Sequence, residues 1–170
     1  MAIPIAKQGT DMIGQARTGT GKTLAFGASL LHRIECDNEH GTAPQALVVA
    51  PTRELALQVS KDLKLAGAKL GARLLTVYGG VGYEPQLDAL AAGVDVVVGT
   101  PGRLLDLADR RALDLRHIKV LVLDEADEML DLGFLPDVER ILAKTPESRQ
   151  TLLFSACLLY TSDAADDSLR

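Results

Sequence analysis

The sequence contains no tryptophan, three tyrosines, three phenylalanines and only two cysteines. Cys36 and Cys157 form neither a CxxC pair nor a metal-ligand spacing, which argues against a disulfide framework or a zinc site. So few cysteines indicate reduced thiols and predict a cytoplasmic protein. The longest apolar runs, such as VLVL at 120–123, are too short to span a bilayer, so no membrane segment is expected. Lys7 and Asp11 interrupt the N-terminal region before a signal-peptide core could form.

An excess of positive charge is also missing, because 18 basic residues face 23 acidic ones and the net charge is -5. Proteins that bind nucleic acid usually present a basic face, so the bulk charge gives no support for that function. A local basic stripe remains compatible with this composition. The chain has 170 residues, 47% of them hydrophobic, which suffices for the core of one domain.

Short runs rich in β-branched residues alternate with amphipathic stretches along the chain. The runs are nearly continuous in apolar residues, which is typical of parallel strands buried on both faces. The predicted strands are 11–16, 46–50, 73–79, 94–100, 119–125 and 150–156, and the predicted helices are 22–34, 53–70, 84–92, 102–110 and 134–143. This alternation predicts an α/β fold with a doubly wound, mostly parallel sheet.

The glycine-rich segment ARTGTGKT at 16–23 follows the first predicted strand and begins the first predicted helix. Glycines allow backbone N–H groups to converge on a phosphate, and the helix N-terminus adds unpaired donors. Lys22 could reach the β- and γ-phosphates of a nucleotide, and the Thr23 hydroxyl could bind Mg²⁺. The strict phosphate-loop pattern begins with glycine, whereas Ala16 stands here, so a glycine-rich turn with a solvated lysine is the alternative. The predicted nucleotide-binding residues are Ala16, Arg17, Thr18, Gly19, Thr20, Gly21, Lys22 and Thr23.

An acid pair follows the apolar run VLVL, where Asp124 and Glu125 end a predicted central strand. Ligands of open α/β sheets bind at the carboxyl ends of the strands, so Asp124 is expected to hold Mg²⁺ together with Thr23. Glu125 is expected to act as the general base on an attacking water. The alternative is an acidic helix N-terminus, where carboxylates are favoured by the helix dipole. The predicted catalytic residues are therefore Lys22, Asp124 and Glu125.

Six short motifs together resemble the DEAD-box ATP-dependent RNA helicases. In chain order they are ARTGTGKT, PTRELA, GG, TPGR, DEAD and SA, which begin at positions 16, 51, 79, 100, 124 and 155. The resemblance covers residues 2–156 and implies a RecA-like P-loop NTPase domain that binds ATP and Mg²⁺ and couples ATP hydrolysis to remodelling of RNA duplexes. It also implies that Asp127 links to Ser155 and Ala156, which would couple the nucleotide state to RNA unwinding.

The same resemblance implies an RNA path that contacts the sugar-phosphate backbone without sequence specificity. Its residues would be Pro51, Thr52, Arg53, Glu54, Gly79, Gly80, Thr100, Pro101, Gly102 and Arg103. Arg53 and Arg103 each begin a helix after a strand, which would present a guanidinium and backbone N–H groups together to a phosphate. We do not expect base stacking to be the main contact with RNA, because no aromatic residue interleaves with these motifs. The alternative is that both arginines are ion-pair residues at helix starts.

The sequence departs from the family in three places. The upstream aromatic residue and glutamine that read adenine in the family are expected before Ala2 and are missing. The motif that reads Ser-Ala-Thr in the family has Cys157 in place of the threonine. Residues 157–170 do not resemble the family, and our hypothesis for this tail is an artefact of sequence assembly. We therefore predict a helicase domain over 1–156 that is followed by a foreign tail.

In the family, this domain works together with a second RecA-like domain. We expect that the 170 residues do not include that second domain. Without its arginines the fragment should hydrolyse ATP slowly or not at all. Two alternatives remain for the function: a fragment that binds nucleotide or RNA without turnover, and another P-loop NTPase such as a DNA translocase. The literal Asp-Glu-Ala-Asp together with PTRELA argues against the translocase.

Overall fold

The computed structural model describes residues 8–16, 21–36 and 41–156. Within these ranges six strands form one sheet, in the order β1-β6-β5-β2-β4-β3, and every neighbouring pair is parallel. The strands are β1 Met12–Gln15, β2 Ala46–Val49, β3 Leu74–Val77, β4 Val96–Gly99, β5 Val120–Leu123 and β6 Gln150–Ser155. Each lies inside a predicted strand, so the predicted α/β fold with a parallel sheet is confirmed.

Six α-helices connect these strands within the described residues. They are α1 Lys22–Arg33, α2 Arg53–Gly67, α3 Glu84–Ala92, α4 Pro101–Asp109, α5 Ala126–Asp131 and α6 Leu135–Ala143. The predicted single helix over 53–70 was wrong at its end, because the last three residues form a 3₁₀ turn that Gly71 terminates with φ of 68°. Helix α5 was not predicted, since six residues are too few for a periodic apolar pattern.

The sheet is buried on both faces by helices, which explains why its strands are almost continuously apolar. Leu47 and Val49 of β2 pack in one cluster with residues of α3, α4 and α6. Ala46 and Val48 pack in the other cluster with residues of α1 and α2. All four side chains are fully buried, as expected for alternating side chains of a strand covered on both sides.

The carboxyl ends of all six strands meet at one edge of the sheet, because the strands are parallel. Backbone hydrogen bonds join the residues that follow neighbouring strands there. The Asp124 N–H donates to Val49 O at 2.9 Å, and the Thr100 N–H donates to Val77 O at 3.1 Å. We call the ends of β1, β6 and β5 the charged half of this edge, and the ends of β2, β4 and β3 the glycine half.

The described residues contain no helix that is long and apolar enough to cross a membrane. Residues 1–7 and 157–170 lie outside the described ranges. The missing adenine-reading residues, Cys157 and the domain boundary after Ala156 therefore stay predictions.

Candidate functional site

The charged half contains the predicted phosphate loop, whose last residues are described. Gly21 has φ of 78° and precedes the first turn of α1, where Lys22 and Thr23 lie. This left-handed conformation is accessible to glycine without strain, so the loop residue there matches its backbone geometry. Ala16 follows β1 and its N–H donates to Ser155 O at 3.2 Å. The remaining loop residues, Arg17, Thr18, Gly19 and Thr20, lie outside the described ranges.

Lys22 connects the loop to the acid pair at the end of β5. Its Nζ lies 2.8 Å from Asp124 Oδ1 and also donates a hydrogen bond to Glu125 Oε1. Lys22, Asp124 and Glu125 are all buried, with 7%, 2% and 6% of their surfaces exposed. The fold thus brings the three predicted catalytic residues into direct contact. The alternative of a solvated lysine in a glycine-rich turn does not describe this structure.

Burial and charge act against each other on this cluster. Burial raises the pKa of Asp124 above its ordinary value, and the Glu125 carboxylate adds to this, while contact with the Lys22 ammonium counteracts it. Burial alone would lower the pKa of Lys22, but hydrogen bonds to Asp124 and Glu125 outweigh it and the pKa is raised. One ammonium faces two carboxylates, so the described cluster favours the approach of a further cation.

Glu125 occupies a strained position between the strand and the next helix. Its backbone has φ of 52° and ψ of 52°, the left-handed region that residues with a Cβ seldom adopt. Such conformations cost about 1–3 kcal/mol and occur often at functional sites. Helix α5 begins at the next residue, Ala126, so the acid pair also stands at a helix N-terminus, as the alternative interpretation held. The structure combines both features.

A cavity of about 500 Å³ opens beside the cluster. It is lined by Gly21, Lys22, Thr23, Leu24, Leu55, Gln58, Val59, Asp62, Leu65, Ala66, Asp124 and Glu125. The Thr23 hydroxyl and the Asp124 carboxylate are oxygen ligands of the kind that Mg²⁺ prefers, so the donor set fits this ion. No group of three or more His, Cys, Asp or Glu side chains in the described ranges could hold a metal ion by itself.

The predicted coupling residues lie in the same half. Asp127 is in the first turn of α5, which packs against β6, the strand that ends at Ser155. Asp127 Oδ1 is buried and has no hydrogen-bond partner among the described residues. Ser155 is buried and Ala156 is exposed. The coupling role of the three residues stays a prediction.

In the glycine half, three predicted segments follow three neighbouring strands. PTRE at 51–54 follows β2, TPGR at 100–103 follows β4, and Gly79 and Gly80 follow β3. Arg53, Glu54, Gly79, Gly80 and Gly102 are exposed, whereas Pro51 and Pro101 are buried. The segments share one edge, as the sequence interpretation requires.

The two threonines of this half differ in what their hydroxyls do. Thr52 Oγ1 accepts a hydrogen bond from the Leu55 N–H at 3.3 Å and caps helix α2. Thr100 precedes helix α4 but its side chain makes no capping bond. The Thr100 hydroxyl is therefore available for a ligand, while that of Thr52 is in part committed to the helix.

Arg103 does not have the geometry expected of it. It is 8% exposed, its Nη1 donates to Gln86 Oε1 at 3.1 Å, and its Nη2 donates to Val81 O at 3.0 Å. The expectation of a guanidinium presented to a phosphate was wrong for this residue, while its RNA contact stays a prediction. Arg53 is exposed and could still reach a phosphate.

The expectation that no aromatic residue interleaves with these motifs was also wrong. Tyr78 and Tyr83 flank the glycine loop 79–82, and each stacks on an arginine. Arg53 Cζ lies 4.7 Å from the centre of the Tyr78 ring, and Arg103 Cζ lies 4.1 Å from that of Tyr83. Sequence reasoning missed these tyrosines, although their positions directly beside the glycines gave a signal.

The glycines of the region fall into two classes. A Cβ on Gly99, the last residue of β4, would lie 2.5 Å from Val77 Cγ2 and 2.8 Å from Val77 O. A Cβ on Gly79 or Gly102 would meet no atom within 4 Å. Gly99 therefore serves the packing of the sheet, whereas the described neighbours of Gly79 and Gly102 give no steric reason for glycine.

Comparison with known proteins agrees with this arrangement of motifs. The family model described as DEAD/DEAH box helicase matches residues 1–164. The chain belongs to this family. The match reaches beyond residue 156, where the predicted domain ends. The predicted resemblance to DEAD-box proteins is thereby confirmed.

Curated relatives include the DEAD-box ATP-dependent RNA helicases CshA of Streptococcus pneumoniae and Geobacillus kaustophilus. They are 56% and 53% identical to this chain over 156 residues, which is 92% of the chain. The same match covers 29% and 33% of the two relatives. The chain thus spans about a third of the length of the curated relatives that it matches.

Solved structures show the same fold in proteins of this family. A DEAD box protein from Methanococcus jannaschii superposes with a TM-score of 0.84 at 37% identity, covering 98% of this chain and 44% of that one. A hypothetical ATP-dependent RNA helicase from Sulfolobus tokodaii gives a TM-score of 0.82 at 38% identity, covering 92% and 44%. The predicted RecA-like fold is confirmed.

Proposed function

We propose that this chain is the ATP-binding domain of an ATP-dependent RNA helicase, which couples ATP hydrolysis to remodelling of RNA duplexes in the cytoplasm. The observation that carries the proposal is the buried contact of Lys22 with Asp124 and Glu125, beside Thr23 in one cavity. The names of the curated relatives support the reaction, since they are ATP-dependent RNA helicases. RNA and a second RecA-like domain are the proposed partners.

The charged half would bind ATP with Mg²⁺. The loop 16–23 would bind the phosphates, and Thr23 and Asp124 would hold the metal, which would neutralise charge that develops on the phosphates. Lys22 now pairs with two carboxylates, so binding of the nucleotide requires it to exchange these partners for phosphate oxygens. This exchange frees Glu125 to accept a proton from the attacking water.

The glycine half would bind the RNA backbone. Exposed glycines at 79, 80 and 102 let a phosphate approach backbone N–H groups closely, and the Thr100 hydroxyl adds a free donor. None of these donors reads a base edge, so binding should be independent of sequence. The Asp124 N–H donates a hydrogen bond to Val49 O, and the Ala50 N–H donates one to Gly99 O. These backbone hydrogen bonds link the segments 51–54 and 100–103 to the acid pair. Asp127, Ser155 and Ala156 would relay the nucleotide state.

A second function, binding without turnover, applies to the chain when it is alone. The described residues that line the cavity include no arginine that could stabilise charge on the γ-phosphate. Arginines supplied by a neighbouring domain raise such rates by about 10³–10⁵. The isolated chain should therefore bind ATP and hydrolyse it slowly.

Nucleotide binding can be tested by thermal unfolding of the chain itself. ATP with Mg²⁺ should raise the melting temperature, because a ligand at 100 times its Kd stabilises the folded state by about 2.7 kcal/mol. ATP with excess EDTA should have little effect. Lys22→Ala should lose the shift, whereas Lys64→Ala, which changes an exposed lysine of α2, should keep it. No shift in the unmodified chain with ATP and Mg²⁺ would contradict the proposal.

A further inference from the structure

Tyr83 lies at the centre of a cluster that the proposed function leaves unexplained. Arg103 Cζ lies 4.1 Å from the centre of the ring, and Arg110 Cζ lies 4.2 Å from it. The Tyr83 hydroxyl donates a hydrogen bond to Asp106 Oδ2, and Arg110 Nε donates to Asp106 Oδ1 at 3.1 Å. Two guanidinium groups therefore contact the ring and a carboxylate contacts the hydroxyl, although the side chain is only partly buried.

The cluster ties the glycine loop 79–82 to the start of helix α4. Arg103 donates from α4 to the carbonyl of Val81 in the loop and to Gln86 of α3. Gln86 Nε2 in turn donates to Tyr78 O at 3.3 Å, at the other end of the loop. One guanidinium thus fixes the loop at its middle and, through Gln86, at its beginning.

Arg103 needs Tyr83 in order to stay buried. A buried guanidinium is costly unless its charge and its donors find partners. Arg103 has no carboxylate within ion-pair distance among the described residues, and its two hydrogen bonds go to neutral oxygens. The negative face of the Tyr83 ring supplies the missing attraction. Asp106 adds a charge nearby, and its pKa lies below the ordinary value because of the Tyr83 hydroxyl and Arg110.

We propose that Tyr83 is a positioning residue for RNA binding, which acts through Arg103 to hold the glycine loop 79–82 and the TPGR segment 100–103 as one rigid surface. The inference rests on the proposed function, because it assigns the surface to RNA. It differs from the sequence expectation in one respect: Arg103 positions the backbone donors and leaves the phosphate contact to them. The loop and the helix start then meet successive phosphates without rearrangement, which lowers the entropy lost on binding.

The test measures binding of the full 170-residue chain to a fluorescent oligouridylate by anisotropy, at several salt concentrations. Tyr83→Leu should weaken binding about fivefold to tenfold, as expected when a desolvated cation–π contact is lost. The slope of log K against log salt should stay unchanged, because the phosphate contacts that are lost are made by neutral N–H groups, which release no counterions. Tyr83→Phe keeps the ring that contacts the two arginines and should bind within about twofold of the unmodified chain.

A variant that is destabilised elsewhere separates positioning from folding. Ile141→Val removes a methylene from a fully buried side chain of α6 and should lower the melting temperature without weakening RNA binding. In NMR spectra, the Arg103 Hε resonance should be shifted upfield by the Tyr83 ring and should lose this shift in Tyr83→Leu but not in Tyr83→Phe. An Arg103 resonance that is the same in all three proteins would overturn the inference.

The binding results also separate this inference from the proposed function. If the unmodified chain binds no oligouridylate, the proposed function fails and the inference fails with it. If the unmodified chain binds and Tyr83→Leu binds equally tightly, only the inference fails. A loss of affinity in Tyr83→Leu with rescue in Tyr83→Phe supports both.

Discussion

The charged half and the glycine half of the sheet edge use opposite means to prepare for a ligand. In the charged half, Lys22, Asp124 and Glu125 are buried and paired with one another. In the glycine half, Arg103 is turned inward onto Tyr83, and exposed glycine backbone faces solvent. A site for phosphoryl transfer needs charges fixed in a dry environment, because electrostatic stabilisation is strongest there. A site for a polymer backbone needs an open, uniform surface, which neutral N–H groups supply.

The difference also predicts how each half responds to substitution. Removing a charge from the charged half should change chemistry, because each charged group there has a proposed role in the reaction. Adding a methyl group to the glycine half should change binding or packing, depending on what the glycine faces.

The largest effect is expected for Glu125→Gln. The chain is first fused to the segment that follows the matched region in the Streptococcus pneumoniae relative, so that both proposed domains are present. Glutamine keeps the shape of the side chain but cannot accept the proton of the attacking water. Turnover should therefore fall by at least about tenfold, and by as much as about 10²–10⁴-fold if the full contribution of a general base is lost. Steady-state ATPase assays and nucleotide binding measure the two effects separately, and ATP binding should be retained.

Glu128→Gln is the matched control, because Glu128 lies in the first turn of α5 without lining the cavity. Its turnover should stay close to that of the unmodified fusion. Unchanged turnover in Glu125→Gln would remove Glu125 from the role of general base.

A smaller effect separates the two classes of glycine at β4 and α4. Gly99→Ala places a Cβ against Val77 and should lower the free energy of unfolding by about 1–3 kcal/mol, as overpacking does. A Cβ on Gly102 would meet no atom within 4 Å, and the residue is helical. The free energy of unfolding of Gly102→Ala should therefore equal or exceed that of the unmodified chain. Urea denaturation measures both values.

RNA binding completes the comparison of these glycines. Gly102→Ala should weaken binding to a labelled oligoribonucleotide, because the added methyl group blocks the approach of a phosphate to the helix start. If Gly102→Ala binds RNA as tightly as the unmodified chain, the first turn of α4 is not part of the RNA path.

Much of this architecture could be predicted from the sequence. Strand β5 consists of four consecutive apolar residues. Such a run between two helical patterns predicts a buried parallel strand. The pairing of Lys22 with Asp124 and Glu125 followed from two motifs placed after two strands of one parallel sheet. Helix α5 could not be predicted, because six residues that begin at a strained Glu125 carry no periodic signal.

The error about Arg103 depends on side-chain geometry that sequence does not encode locally. Arg103 begins helix α4, a position that favours contact with an anion, yet its side chain packs against Gln86 and Tyr83 from another connection of the sheet. A stack of this kind arises only once the loop after β3 and the helix after β4 lie side by side. Sequence could name Arg103 as a residue of the region but could not give the direction of its guanidinium.

The most direct test of the central claim is the ATPase rate of the fused protein with different nucleic acids. We predict that single-stranded RNA stimulates ATP hydrolysis and that duplex DNA does not, because we propose that the charged half is coupled to a surface that binds an RNA backbone. Glu125→Gln should abolish the stimulated rate. Equal stimulation by RNA and duplex DNA would contradict the assignment of RNA as the partner that ATP hydrolysis acts upon.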